Sequence, residues 1–165
     1  MKDIIQKIKA KNPLDRLGDE FIKSYIENYF KKDSKLKKKF LDNKLKKKDL
    51  EKIVKSVRNE LNIVYGQFWL SDKLELGAHK SSKERLQFYN KLYNFIFSIT
   101  GKPKRILDLA CGLNPLTYNL IGKEVYFIVT ELTDYDCAKL KEYFKKINIK
   151  GEIIKADLRT FRDFP

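Results

Sequence analysis

The stretch "RILDLACGLNPL", Arg105 to Leu116, sets one glycine, Gly112, between an apolar run and a proline, with Asp108 four residues before it. An apolar run that turns through glycine into a helix is where an open parallel sheet holds its ligand. The number of glycines limits what that ligand is. A dinucleotide pyrophosphate favours G-x-G-x-x-G, because several backbone N–H groups must approach bulky phosphate oxygens, and Gly112 stands alone. One glycine permits one close backbone approach, enough for a nucleoside without phosphate. Two carboxylates follow at useful places. Glu131 ends the next apolar run, 23 residues after Asp108, near the spacing at which ribose hydroxyls are bound. Asp157 ends the third run, where its carboxylate can accept from an exocyclic adenine amine. S-adenosylmethionine matches this set of demands.

Each of these residues also has a structural reading. Asp108 can anchor the turn by accepting backbone N–H groups, and Glu131 and Asp157 can cap the helices that follow them. Asn114 fits as a helix N-cap and Pro115 as the first helical residue. Cys111 reads as a small buried side chain rather than a reactive thiol.

The elements that would position these groups are legible from periodicity. "RILDLA", "EVYFIVTEL" and "GEIIKADL" are short apolar runs, consistent with strands buried on both faces. Helical stretches separate them, Pro115 to about Ile121 and about Asp134 to Ile147, the second with Leu140, Tyr143, Phe144 and Ile147 on its inward face. The order strand, helix, strand, helix, strand is half of a doubly wound parallel α/β sheet.

The first hundred residues read as helices. Phe21, Ile22, Tyr25, Ile26, Tyr29 and Phe30 lay one stripe along a helix, and Leu50, Ile53, Val54, Val57, Leu61 and Val64 do so in the next. Between them, residues 31–48 carry ten lysines and two aspartates, with Leu36, Phe40, Leu41 and Leu45 spaced to allow a helix with a thin buried seam. Ser81 with Glu84 three residues on is a capping-box signature that starts a helix near Ser82. Phe88 to Ile99 is apolar nearly all round, which implies burial between two layers, and "TGKPK" ends that helix.

Composition narrows the class. The chain has 165 residues, 42% hydrophobic and 13% aromatic, too apolar for a disordered chain although 35% of residues are charged. Net charge is +14, of which residues 1–100 hold +11, so the front of the chain attracts polyanions. Lys37, Lys38, Lys39, Lys46, Lys47 and Lys48 are the candidate phosphate contacts within the lysine run, whose other reading is a solvated helix surface. No apolar run approaches the ~20 residues that span a bilayer, so membrane is the weaker anionic partner. With Cys111 and Cys137 the only cysteines and His79 the only histidine, neither a disulfide framework nor a zinc site is expected, and the cytoplasm is the natural compartment.

"HKSSKERL", "ILDLACGLNPL" and the late "ADL" together resemble the 16S ribosomal RNA (guanine-N7) methyltransferases of the aminoglycoside-resistance type, whose pattern is H-x-S-[ST]-x-E-R-L, then L-D-L-A-C-G-x-N-P, then D-L. The block from about residue 79 to 158 carries the match. The resemblance implies a Rossmann-like class I methyltransferase domain over 79–165, preceded by a basic helical RNA-binding region over 1–78. It implies that His79, Ser81 and Arg85 line the methionine end of S-adenosylmethionine, Arg85 pairing its carboxylate, with Ala110 and Gly112 beneath. Glu131, where the family usually has aspartate, would bind the ribose, and Asp157 and Leu158 would frame the adenine. Taken from their local sequence alone, His79 would be an exposed or capping histidine and Arg85 a solvated or salt-bridged helix residue.

Guanine N7 already offers a lone pair, so methyl transfer needs alignment more than a general base. Positioning of that kind contributes ~7–11 kcal/mol. The expected activity is therefore methylation of small-subunit ribosomal RNA, with ribosomal RNA or the small subunit as partner. The alternative is a non-catalytic basic RNA-binding remnant or subunit that retains the cofactor signature.

The chain reads as truncated after the third strand. In the usual order 3-2-1-4-5 the first strand is central, yet here it becomes an exposed apolar edge. Further chain, a second polypeptide completing the sheet, or another surface must cover it, and the chain alone is expected to be inactive and to self-associate.

Overall fold

The computed structural model describes residues 1–69, 71, 73–122 and 124–163, and divides into two compact units, Met1–Phe68 and Trp69–Pro165.

The first unit is helical. Helix α1 (Lys2–Lys9) buries Ile4, Ile5 and Ile8, α2 (Asp19–Lys32) buries Ile22, Ile26, Tyr29 and Phe30, and α3 spans Ser34–Leu41. Helix α4 (Lys47–Val64) buries Ile53, Val57 and Leu61, one residue per turn facing α1 and α2. Val64, expected on that stripe, is exposed, because the helix ends there. The lysine run is not one helix: it spans the end of α2, all of α3 and the start of α4. Asp33 accepts the Leu36 N–H at 3.0 Å and starts α3, and left-handed Asn43 (φ 53°) follows its end. Leu36 is buried and Phe40 stacks on Phe30 at 5.0 Å, whereas Leu41 is exposed, so the seam is thinner than its spacing suggests.

In the second unit, α5 (Lys80–Arg85) and α6 (Tyr89–Thr100) precede β1 (Arg105–Asp108). Helix α7 (Tyr118–Ile121), β2 (Tyr126–Glu131), α8 (Asp134–Ile147) and β3 (Gly151–Lys155) complete it. The three strands are parallel in the order β1-β2-β3, with Asp108 beside Val129 and Glu131 beside Lys155. Helix α8 starts where the Thr133 hydroxyl accepts the Asp136 N–H at 3.1 Å and ends at Asn148, whose left-handed conformation terminates helices readily. Its Leu140 and Phe144 pack on Phe127 and Val129 of β2, with Tyr118 of α7 stacked on Phe127. Gly151 is required where β3 begins: a Cβ there would lie 1.9 Å from the Phe127 carbonyl oxygen.

Burial on both faces holds for β2 alone. It is the middle strand, buried at five of six positions, while β1 and β3 are edges. The reading that β1 becomes an exposed apolar edge is met, since Leu107 is exposed and no strand pairs its outer side among the described residues. The same circumstance corrects the reading of α6. Only Tyr89 is buried, and Phe88, Leu92, Phe95 (65% exposed) and Ile99 (69%) form an open stripe, because no second layer covers it among the described residues. The helix before it begins at Lys80, two residues earlier than expected, with no capping box: the Ser81 hydroxyl turns to His79 instead.

Candidate functional site

Directly after β1, the chain doubles back along the end of β2. Ala110 (φ 52°) and Gly112 (φ 54°) both adopt the left-handed conformation. Three successive amides are committed to β2: Ala110 N–H donates to Thr130 Oγ1 at 2.8 Å, Cys111 N–H to the Thr130 carbonyl at 3.0 Å, and Gly112 N–H to Glu131 Oε1 at 2.5 Å. A phosphate-binding loop needs such amides pointing outward at its ligand. This turn has none of the three to offer, which agrees with a phosphate-free ligand.

Glu131, expected at the ribose, has a structural role. Its second oxygen accepts the Leu132 N–H at 3.2 Å, and the side chain is buried. Burial pushes its carboxyl up to about 7; the Gly112 amide opposes that shift and the neighbouring Asp136 adds to it. Burial also raises the thiol of Cys111 far out of the reactive range and that of Cys137 to about 11, so both cysteines are packing residues.

His79, Ser81, Arg85, Asp108 and Gly112 come together. The His79 ring lies over Gly112, 3.6 Å from where a Cβ would be, stands edge-on to Trp69 and contacts the Ser81 hydroxyl through Nδ1 at 2.9 Å. Burial, then the Arg85 charge, keeps its ring below the usual histidine range. Arg85 donates to the Ser81 carbonyl at 2.9 Å and to the Ser81 hydroxyl at 3.3 Å. Asp108 is raised by burial, against which Asn114 and Arg85 act.

Asp157 and Leu158 lie two and three residues past β3, at the same end of the sheet but with β2 between them and Asp108. The Asp157 carboxylate is held by Arg159, whose Nε and Nη2 donate to its two oxygens at 2.9 and 2.6 Å, and this pairing lowers its pKa. Leu158 is exposed. Sequence reasoning missed Thr130 and misread Asn114, whose side chain caps nothing and instead meets Tyr89, Arg85 and Asp108.

On the helical unit, Lys37, Lys38 and Lys39 on α3 and Lys46, Lys47 and Lys48 around the start of α4 are exposed. Lys39 is paired with Asp49 at 3.0 Å. The other three stand at the positive end of the α4 dipole, so helix and side chains add their potentials. Sequence reasoning also passed over a groove of about 390 Å³ between α1 and α4, lined by Lys7, Lys11, Lys47, Lys55 and Arg58. Arg58 donates to the carbonyls of Lys7 and Ile8, closing the end of α1.

A family model described as "Ribosomal RNA methyltransferase (FmrO)" matches residues 52–158. The chain belongs to this family. Within it, the FmrO-family chain is 57% identical over 44 residues to a 16S rRNA (guanine(1405)-N(7))-methyltransferase of Serratia marcescens, a match covering 27% of this chain and 17% of that protein. It is 32% identical over 63 residues to the enzyme of the same name from Micromonospora rosea, covering 37% and 23%. Among solved structures, the 16S rRNA methylase RmtB superposes with a TM-score of 0.68 at 22% identity, over 96% of this chain and 65% of that one. RmtF in complex with S-adenosyl-L-homocysteine superposes at 0.71 and 17%, over 97% and 64%. These likenesses establish the fold, a partial Rossmann-like methyltransferase sheet. The FmrO-family chain spans about two thirds of those structures, and its sequence matches cover about a fifth of the curated relatives. No helix is long and apolar enough to cross a membrane among the described residues.

Proposed function

We propose that this chain supplies the cofactor-binding part of an S-adenosylmethionine-dependent methyltransferase acting on guanine N7 of small-subunit ribosomal RNA. The observation that carries the reading is the convergence of His79, Ser81 and Arg85 on the Asp108–Gly112 turn, inside the segment that matches the family.

The residues present fit the cofactor. Arg85 has no carboxylate partner among the described residues and is available to the methionine carboxylate. Gly112 lets the turn pass close under the His79 ring, a Cβ there already touching it at 3.6 Å. Glu131 Oε1 takes the Gly112 amide and a long contact from the Cys111 thiol, while Oε2 accepts the Leu132 amide and has a second lone pair for a ribose hydroxyl. Asp157 and Leu158 stand at the adenine end. The cofactor, when bound, supplies an electrophilic methyl group on a sulfonium. The chain's own work is to fix that group's direction, exclude competing charges and bring the RNA backbone to the lysine face.

Isothermal titration with S-adenosylhomocysteine tests the cofactor assignment: binding weakened by Arg85→Ala and Glu131→Ala supports it, and no binding to the folded chain refutes it. Tritium transfer to 30S subunits tests the reaction. Salt-sensitive RNA binding with no affinity for S-adenosylhomocysteine would instead favour a non-catalytic RNA-binding unit.

A further inference from the structure

The Asn114 side chain lies between two opposite charges. Its carbonyl oxygen accepts from the Tyr89 hydroxyl at 3.2 Å and from Arg85 Nη2 at a longer 3.5 Å, and its amide nitrogen donates to Asp108 Oδ2 at 3.2 Å. The turn that begins at Asn114 is a short 3-10 helix, preceded by Leu113 and without a side-chain cap, which releases the amide from the capping role its position suggests. Tyr89 is buried and fixes the amide from the α6 side.

An amide offers an acceptor at one end and a donor at the other, and here each end meets the group it suits. Guanidinium and carboxylate pair strongly in a bidentate fashion when nothing separates them. Among the described residues, Arg85 otherwise contacts neutral groups, the Ser81 carbonyl and hydroxyl and the face of the Tyr89 ring, while its charge reaches Asp108 without an ion pair. Asp108 likewise makes no ion pair among the described residues, and Asn114 is the side chain that donates to it.

We propose that Asn114 is a positioning residue that holds Arg85 and Asp108 apart, leaving one cation and one anion free for the opposite charges of a zwitterionic α-amino-acid group. The inference rests on the cofactor reading above and deepens it: the group in question is the methionine end, its carboxylate meeting Arg85 and its ammonium meeting Asp108. Asn114→Asp would place a carboxylate against Arg85 and repel Asp108. Asn114→Ala would let Arg85 and Asp108 close on each other.

The test compares two ligands that share the adenosyl thioether and differ in the amino-acid group, S-adenosylhomocysteine and 5′-methylthioadenosine, by isothermal titration against the wild-type chain and both variants. Each variant is expected to lose at least about tenfold in affinity for S-adenosylhomocysteine, the scale of a charge-assisted hydrogen bond, while affinity for 5′-methylthioadenosine is retained. Equal losses for both ligands, or none for either, overturn the proposal and leave the cofactor reading in place. A wild-type chain that binds neither ligand overturns the cofactor reading and this inference with it. Should a variant melt below the assay temperature, Asn114→Gln, which keeps the amide but displaces it by one methylene, takes its place: loss confined to S-adenosylhomocysteine supports the assignment, and equal losses for both ligands or none oppose it.

Discussion

Glu131 Oε1 accepts the Gly112 amide at 2.5 Å, so the carboxylate expected to hold a sugar already holds the turn beneath it. The proposed ligand site and the fold share this group, and changes at Glu131 are expected to register in both stability and affinity.

The pH dependence has a definite sign. Burial raises the Glu131 carboxyl from an ordinary 4.5 to about 7, so between those values the folded chain binds more protons than the unfolded one and stability falls as pH rises. His79, depressed by burial, acts oppositely, its contribution being lost as pH falls below its unfolded value. Melting curves from pH 5 to 8 are expected to give a wild-type midpoint that declines relative to Glu131→Gln across this range. A difference that stays flat would contradict the buried carboxyl.

The left-handed turn distinguishes two small residues. Gly112→Ala meets only the His79 ring at ordinary contact distance, so its cost is conformational, ~1–2 kcal/mol in denaturant unfolding. Ala110 already bears that strain, and Ala110→Gly is expected to change stability by less than ~1 kcal/mol. Reversal of the order would mean that the turn adopts another conformation in solution.

At the β2–β3 boundary, Gly151→Ala places a methyl against the Phe127 carbonyl. Because backbone, unlike a flexible side chain, must move to admit it, the loss is expected to exceed that at Gly112, ~3 kcal/mol or more. Urea unfolding of the two variants side by side checks this ranking.

The lysine face predicts a salt slope. If about five lysines neutralise phosphates, log affinity for small-subunit ribosomal RNA falls with log salt at ~−4, and Lys37→Glu with Lys47→Glu reduces the magnitude by ~2. Filter binding between 50 and 300 mM salt reads the slope; an unchanged value in the double variant would remove these lysines from the interface.

How much was legible in advance depended on the range of the interaction. Helix α8 has the bounds its apolar spacing gave, Asp134 to Ile147, since its pattern, Thr133 cap and following turn are all local. The three strands and the edge position of β1 followed from run length and order. The assignment of Asn114 failed because its partners on α5, α6 and β1 are 29, 25 and 6 residues away, and no periodicity encodes them. Burial of α6 was misjudged for a related reason. An apolar helix records that a covering surface suits it, not that one is present.

The one-sided pairing of β1 reaches into the site. Among the described residues, Asp108 and the turn that follows hang from a strand whose ladder bonds lead to β2, so alternate amides from Arg105 to Asp108 face an unpaired flank. Deuterium uptake should therefore be uneven along those four residues, quick on the open flank and slow on the other. The proposed grip on a nucleoside would then be only as steady as the seam between two strands.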